Sequence, residues 1–134
     1  MRLRIIGLAS ALAGTLVGAG ACMAQAYPAK PVRVIVPFAP GGGTDILTRT
    51  IAPKLSEALG QQLVIDNRAG GGSTIGSEMA AKAVADGYTL LMVDTSFTTN
   101  PSLYRKLPYD PAHDFAPVSL MAAAPVILIV HPSV

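Results

Sequence analysis

Two glycine runs, Gly41-Gly42-Gly43 and Gly70-Gly71-Gly72, each stand between a short apolar stretch and a stretch of helical periodicity. This repeated unit limits what the chain can fold into. Val32, Val34, Ile35 and Val36 make a β-branched run that reads as a buried strand. Pro37 to Gly43 is a loop, and Thr44 or Asp45 is the expected cap of the helix that follows. Along that helix Leu47, Ile51, Leu55 and Leu59 fall on one face, Pro53 is expected to kink it, and Gly60 is its stop signal. The grammar then repeats. Leu63, Val64 and Ile65 form a second strand, Ala69 to Ser73 a second glycine loop, and Thr74 to Val84 a second helix with Ala80, Ala81 and Val84 on its apolar face. Asp86-Gly87 turns the chain into a third strand, Thr89 to Val93. Strands alternating with helices over short connections imply the α/β class, a parallel sheet with right-handed crossovers.

Beyond Val93 the pattern changes. Asp94 to Asn100 reads as a polar loop, and Pro101, Pro108, Pro111 and Pro117 punctuate an irregular stretch. Val118 to Met121 and Val126 to Val130 have strand composition. No helix follows to cover the last of them, and an apolar strand at an open end is not how a finished domain terminates. The expectation is a lobe that is incomplete at its C-terminus.

The N-terminus carries an address. Arg2 and Arg4 precede an uncharged run from Ile5 to Ala21, and Ala24-Gln25-Ala26 suits signal peptidase. Residues 1–26 therefore read as a cleaved signal peptide that sends the mature chain, beginning at Tyr27, to the periplasm. A retained membrane helix is the competing reading, but the run is short for a span and rich in Gly, Ala and Ser. Lipid anchoring at Cys22 is a further alternative, disfavoured by the small residues Ala19-Gly20-Ala21 before it. Cleavage after Ala26 would leave no cysteine, and with it no disulfide and no thiol chemistry. Of the ten Lys and Arg, two lie in this segment, leaving eight against eight Asp and Glu. That balance offers no electrostatic case for nucleic acid.

The chemistry resides in the glycine loops. Each follows a strand and opens a helix, which sets unpaired backbone N–H groups at the positive end of a helix dipole. Such a place suits an anion, and ligands of open α/β sheets bind where strands end. Ser73 and Thr74 add hydroxyls, and Asp45 could receive an amine or hydroxyl of a ligand or simply cap its helix. A nucleotide loop would need Gly-Lys-Ser/Thr, and neither loop contains Lys. Catalysis has few candidates. His113 and His131 stand alone, no Gly-x-Ser-x-Gly elbow occurs, and no carboxylate–histidine cluster has metal-ligand spacing. A secreted hydrolase or lyase using Asp45 or His113 is the alternative from another class, and a non-functional truncated chain is a third.

Val36-Pro37-Phe38-Ala39-Pro40-Gly41-Gly42 followed by Asp45 resembles the opening signature of Bug proteins, the extracytoplasmic receptors of tripartite tricarboxylate transporters. Leu59-Gly60-Gln61, Asn67-Arg68, Gly70 to Gly76, Asp86-Gly87-Tyr88-Thr89-Leu90, Asn100-Pro101, Leu103-Tyr104, Leu107 to Asp110 and Asp114-Phe115 follow in the family's order. The likeness runs from Tyr27 to Val134. It implies a two-lobed, type II Venus-flytrap binding protein, of which residues 27–134 would be a partial first lobe and the start of the crossover. It also implies a non-enzymatic, monomeric receptor without cofactor or metal, which passes a small carboxylate or amino acid to a membrane permease. The ligand shell implied is Phe38, Ala39, Pro40, Gly41, Gly42 and Asp45, with Ser73, Thr74, Thr95 and Ser96. Two positions depart from the pattern. Thr48 replaces a common Ala and is expected to be a helix-surface change; Ser73 replaces a common Gly and could alter contacts with ligand.

Overall fold

The computed structural model describes residues 27–125 and 127–133. The segment read as a signal peptide, Cys22 included, lies outside the described residues, as does Val126 at the head of the last expected strand. Among the described residues three strands, β1 (Val32–Val36), β2 (Leu63–Asn67) and β3 (Thr89–Leu91), alternate with three helices, α1 (Gly43–Leu59), α2 (Thr74–Ala81) and α3 (Ser96–Leu103). A 3-10 turn, Gly71–Ser73, leads into α2. The sheet order is β2-β1-β3 and both pairings are parallel, so Val34 sits between Ile65 and Leu90.

Alternation of side chains across β1 separates the two helices that cover it. Val34 and Val36 pack with Ala52 of α1 and Leu63 of β2, against which Leu55, Leu59 and Ile65 also lie. From the other face Arg33 reaches α2, its guanidinium donating to Met79 Sδ at 3.1 Å and to Asp66 Oδ2. α1 and α2 therefore cover opposite faces, as right-handed crossovers from a central first strand require. β1 is the buried centre, with Val32, Ile35 and Val36 fully inaccessible.

The boundaries differ from the sequence expectations in several places. The cap of α1 is Gly42, with neither Thr44 nor Asp45 outside the helix; both belong to its first turn. α1 runs unbroken through Pro53, at an exposed position where the missing N–H leaves only the Arg49 carbonyl without its helical donor. Gly60 ends it as expected, at φ 66° with its N–H on the Glu57 carbonyl. Thr48 is not on the surface. It is buried, and its hydroxyl donates to the Thr44 carbonyl at 2.6 Å.

α2 ends at Ala81 rather than Val84, and its buried residues are Gly76 and Ser77 rather than the expected alanines. Gly76 has no room for a side chain, since a Cβ there would meet Pro37 Cβ at 2.7 Å and the Arg68 carbonyl at 2.9 Å. The stretch read as a polar loop, Asp94 to Asn100, contains most of α3, which holds Pro101 within it. Asp94 starts that helix by accepting the Ser96 N–H at 2.8 Å. Phe97 then stacks on Tyr109 (centroids 5.8 Å apart, 8°), and Phe115 meets both rings edge-on. The strand expected at Val118 to Met121 forms no ladder among the described residues, nor do residues 127–130. These side chains are exposed, Leu128 by 90%, because strand composition without a partner strand makes no sheet.

Candidate functional site

In the sheet order β2-β1-β3 the chain leaves β1 into α1 on one face and β2 into α2 on the other, and ligands of open α/β sheets bind beyond the carboxyl ends of such strands. The loops after β1, β2 and β3 gather at that edge, and they and the first turns of the helices that follow contain every residue singled out for ligand. Loop one, Pro37 to Gly42, is a tight internal turn. Gly42 N–H donates to the Ala39 carbonyl at 3.2 Å. Pro40 and Gly41 (φ 83°) fill the two central positions, the make-up of a type II turn. Ala39, Pro40 and Gly41 are exposed, while Phe38 is half-buried against the core.

Asp45 fastens this turn. It is 1% exposed, and its carboxylate accepts the Gly41 N–H at 2.9 Å, the Arg49 Nε–H at 2.9 and 3.0 Å, and an Asn67 Nδ2–H at 2.9 Å. Asn67, at the end of β2, also donates to the Phe38 carbonyl at 3.1 Å and accepts from Arg49 at 2.9 Å. The Arg49 guanidinium, the Gly41 amide and the Asn67 amide together lower the Asp45 pKa from 3.8 to about 2. A carboxylate held ionised this firmly is a poor general base. Its oxygens face the protein, so Asp45 shapes the loop from behind. The N–H groups of Gly41 and Gly42 are likewise turned to protein acceptors. The first-turn amides of Gly43, Thr44 and Asp45 are those an α-helix leaves without an intrahelical partner.

Loop two is built differently. Gly70, Gly71, Gly72 and Ser73 all have positive φ, at 134°, 58°, 61° and 77°. Ser73 is a non-glycine residue in the left-handed region, at a cost of about 1–2 kcal/mol. What holds it is its side chain, which is 3% exposed. Ser73 Oγ lies 3.0 Å from Ser96 Oγ and accepts an Asn100 Nδ2–H at 3.2 Å. Asn100, itself buried, also donates to the Gly72 carbonyl at 2.9 Å, and the Tyr104 hydroxyl donates to the Gly71 carbonyl at 3.1 Å. Ser73 and Ser96 are thus brought together, but as partners of each other. Thr74 opens α2 half-buried, and Thr95, the cap of α3, is exposed.

Loop one meets the first turn of α2 where Pro37 lies against Gly76, and the Arg68 N–H donates to the Val36 carbonyl at 2.8 Å. Sequence reasoning named the loops but not the residues that brace them: Arg49, Asn67, Asn100 and Tyr104. Arg49 stands four residues after Asp45, the spacing of a helical ion pair, and Asn67, Asn100 and Tyr104 stand in the motifs that carry the family resemblance, which marked their positions but not their bracing role. His113 is exposed beside Asp110, 2.8 Å away, and that carboxylate raises its pKa.

A family model described as the tripartite tricarboxylate transporter family receptor, TctC, matches residues 47–134. The chain belongs to this family. It is 42% identical over 132 residues to the protein BugT of Bordetella pertussis, covering 97% of this chain and 40% of that one. Among solved structures it resembles the periplasmic binding protein BugD, with 43% identity, a TM-score of 0.64, and coverage of 66% of this chain and 30% of BugD. It also resembles MatC of Rhodopseudomonas palustris, determined with bound malate, at 39% identity, a TM-score of 0.67, and coverage of 71% and 33%. The chain thus spans about two fifths of the length of BugT. The α/β class read from the sequence is the fold of the periplasmic binding proteins it matches, and those are receptors rather than enzymes.

Proposed function

We propose that the chain forms the first lobe of a periplasmic receptor that captures a small carboxylate and presents it to a membrane permease of the tripartite tricarboxylate type. One observation carries the reading. Two braced glycine loops and the head of α3 meet at the carboxyl edge of a parallel sheet, in a chain whose family is named for this receptor role. The site offers main-chain amides and hydroxyls, and its buried charge is balanced internally by Arg49. A ligand carboxylate would lie against the first-turn amides of α1 and the turn of loop two, where helix dipoles favour negative charge. Phe38, Ala39 and Pro40 would form the apolar floor, and Thr74, Thr95 and Ser96 would supply hydroxyls. Asp45 and Ser73 would support the site without touching ligand. The bound malate of MatC supports a dicarboxylate as the class.

In the same proposal residues 1–26 are removed as a signal peptide, residues 27–134 are the partial first lobe, and the receptor acts as a monomer without cofactor. Tyr27 is suited to be the first mature residue. Its hydroxyl donates to the Gly87 carbonyl at 2.6 Å, and its ring meets Tyr88 edge-on, at the end of the sheet away from the loops. Calorimetric titration of the secreted protein with malate, succinate and citrate tests the function. Reversible uptake of one ligand per chain without product is expected; turnover, or no binding to any of the three, would overturn it. Intact mass of the periplasmic form, expected to begin at Tyr27, tests the processing.

A further inference from the structure

We propose that Asn100, assisted by Tyr104, is a positioning residue of the ligand site, one that sets carboxylate affinity without contacting the ligand. The inference rests on the receptor reading and deepens it. A run of four positive-φ residues, Gly70 to Ser73, has one 3-10 bond of its own, from the Thr74 N–H to the Gly71 carbonyl, and glycine imposes little beyond it. The further hold on the run comes from α3 and its C-terminal end. Tyr104 holds the Gly71 carbonyl and Asn100 holds the Gly72 carbonyl, so two consecutive peptide planes are gripped on the α3 side.

In a trans peptide the N–H points opposite to the C=O. Pinning the carbonyls of Gly71 and Gly72 toward α3 therefore aims the N–H groups of Gly72 and Ser73 away from it. The second Asn100 donor contact, to Ser73 Oγ, stabilises the left-handed conformation from which α2 starts. The fit is close on both sides. A Cβ on Gly72 would lie 2.8 Å from the Tyr104 hydroxyl, so glycine is needed there for the contact as well as for φ. Asn100 is 2% exposed and sits 3.5 Å from the Tyr109 hydroxyl, which ties it to the aromatic cluster of Phe97, Tyr109 and Phe115. The cluster, α3 and the glycine loop thus form one mechanical unit. Its carboxamide is the joint.

The test uses the secreted receptor with malate, succinate and citrate as probes, and two variants. Asn100→Ala removes both donors from a buried place and can cost folding. Tyr104→Phe deletes one hydroxyl from an exposed ring and spares the fold. For Tyr104→Phe the expected result is a Kd about fivefold weaker, the equivalent of one net hydrogen bond, measured well below the melting temperature, which itself falls only slightly. The backbone amide resonances of Gly72 and Ser73 should shift in the ligand-free protein. A merely structural residue would lower the melting temperature and leave the Kd of the folded fraction alone. Wild-type binding with unchanged Kd and unchanged amide resonances in Tyr104→Phe would overturn the positioning role. Failure of the wild type to bind any of the three carboxylates would instead overturn the receptor reading, and the inference with it.

Discussion

Gly76→Ala separates two physical arguments that give opposite signs. Gly76 lies inside α2, where intrinsic helix propensity favours alanine by about 1 kcal/mol. The packing says otherwise. The new Cβ would sit 2.7 Å from Pro37 Cβ, 2.9 Å from Pro37 Cα and 2.9 Å from the Arg68 carbonyl oxygen, where ordinary contact begins at 3.4 Å. All three atoms belong to backbone or a proline ring, so no side-chain rotation relieves them. Relief requires α2 to move off the sheet by about half an ångström, which also separates loop one from loop two. Overpacking of this kind costs about 1–3 kcal/mol, and three rigid contacts place it at the upper end. Set against the propensity gain, the net loss is about 2 kcal/mol. With a urea m-value of about 1–3 kcal/mol/M for a small domain, the unfolding midpoint falls by about 1 M. Gly43→Ala is the control. It stands at the head of α1, where an added Cβ would have nothing within 4 Å, and it is expected to be neutral or stabilising. A Gly76→Ala protein with an equal or higher midpoint than wild type would refute the close-packing argument.

Asp45→Asn should change the acid limb of stability. The folded pKa lies below the unfolded value, so the stabilisation linked to this carboxylate is full above pH 3.8 and is lost as pH falls toward about 2. Denaturation midpoints measured from pH 6 to pH 2 should show that loss in wild type and less of it in the variant; parallel curves would count against the network. Ser73→Gly relieves the left-handed strain while losing the bonds to Ser96 and Asn100, and should leave stability within about 1 kcal/mol of wild type. Ser73→Ala keeps the strain and loses the same bonds, so it should cost about 1–3 kcal/mol by the same urea titration, and equal stability of the two variants would sink the reasoning. Ser77 Oγ is buried on α2 without a hydrogen-bond partner among the described residues. Ser77→Ala should therefore raise stability by about 1 kcal/mol in thermal melts, and a lowered melting temperature would show that the hydroxyl is paired.

Legibility in the sequence followed the range of the interactions concerned. β1 and the end of α1 at Gly60 were readable because a β-branched run and a left-handed glycine act within a few residues. α3 was not readable. It has no apolar stripe, contains Pro101, and is held by Phe97 on Tyr109 and Asn100 on Gly72, contacts that a local window does not contain. The same limit applied to the exposed stretch after Pro117, where composition suggested strands but pairing decides. Thr48 was misplaced because one position on a helix does not reveal which neighbour lies over it. The candidate site was legible as loops and illegible as roles. Asp45 looked as suited to ligand as to structure until Asn67, which is distant in sequence, was seen to complete its set of partners.

The two loops reach the same kind of surface by different physics, and the difference bears on where selectivity can arise. Loop one is rigid because a buried carboxylate, an exposed guanidinium and a half-buried carboxamide hold it. Asp45, Arg49 and Asn67 fix the turn from Phe38 to Gly41, and every member is bonded to another. Loop two is rigid because glycines accept an unusual path and a carboxamide and a phenol hold its carbonyls. In both, the polar side chains are turned into the protein, and main-chain groups are left at the sheet edge. Main-chain amides recognise a carboxylate as such but do not distinguish the rest of the molecule carrying it. On the proposed reading, this lobe therefore supplies the common anchor for the class of ligand. Discrimination within the class would fall to exposed Thr95, to the half-buried ring of Phe38, and to whatever faces them across the crevice. Substituting Thr95 should change preference among malate, succinate and citrate more than it changes the tightest affinity. Substituting Asn100 should weaken all three together, because a shared anchor has been loosened.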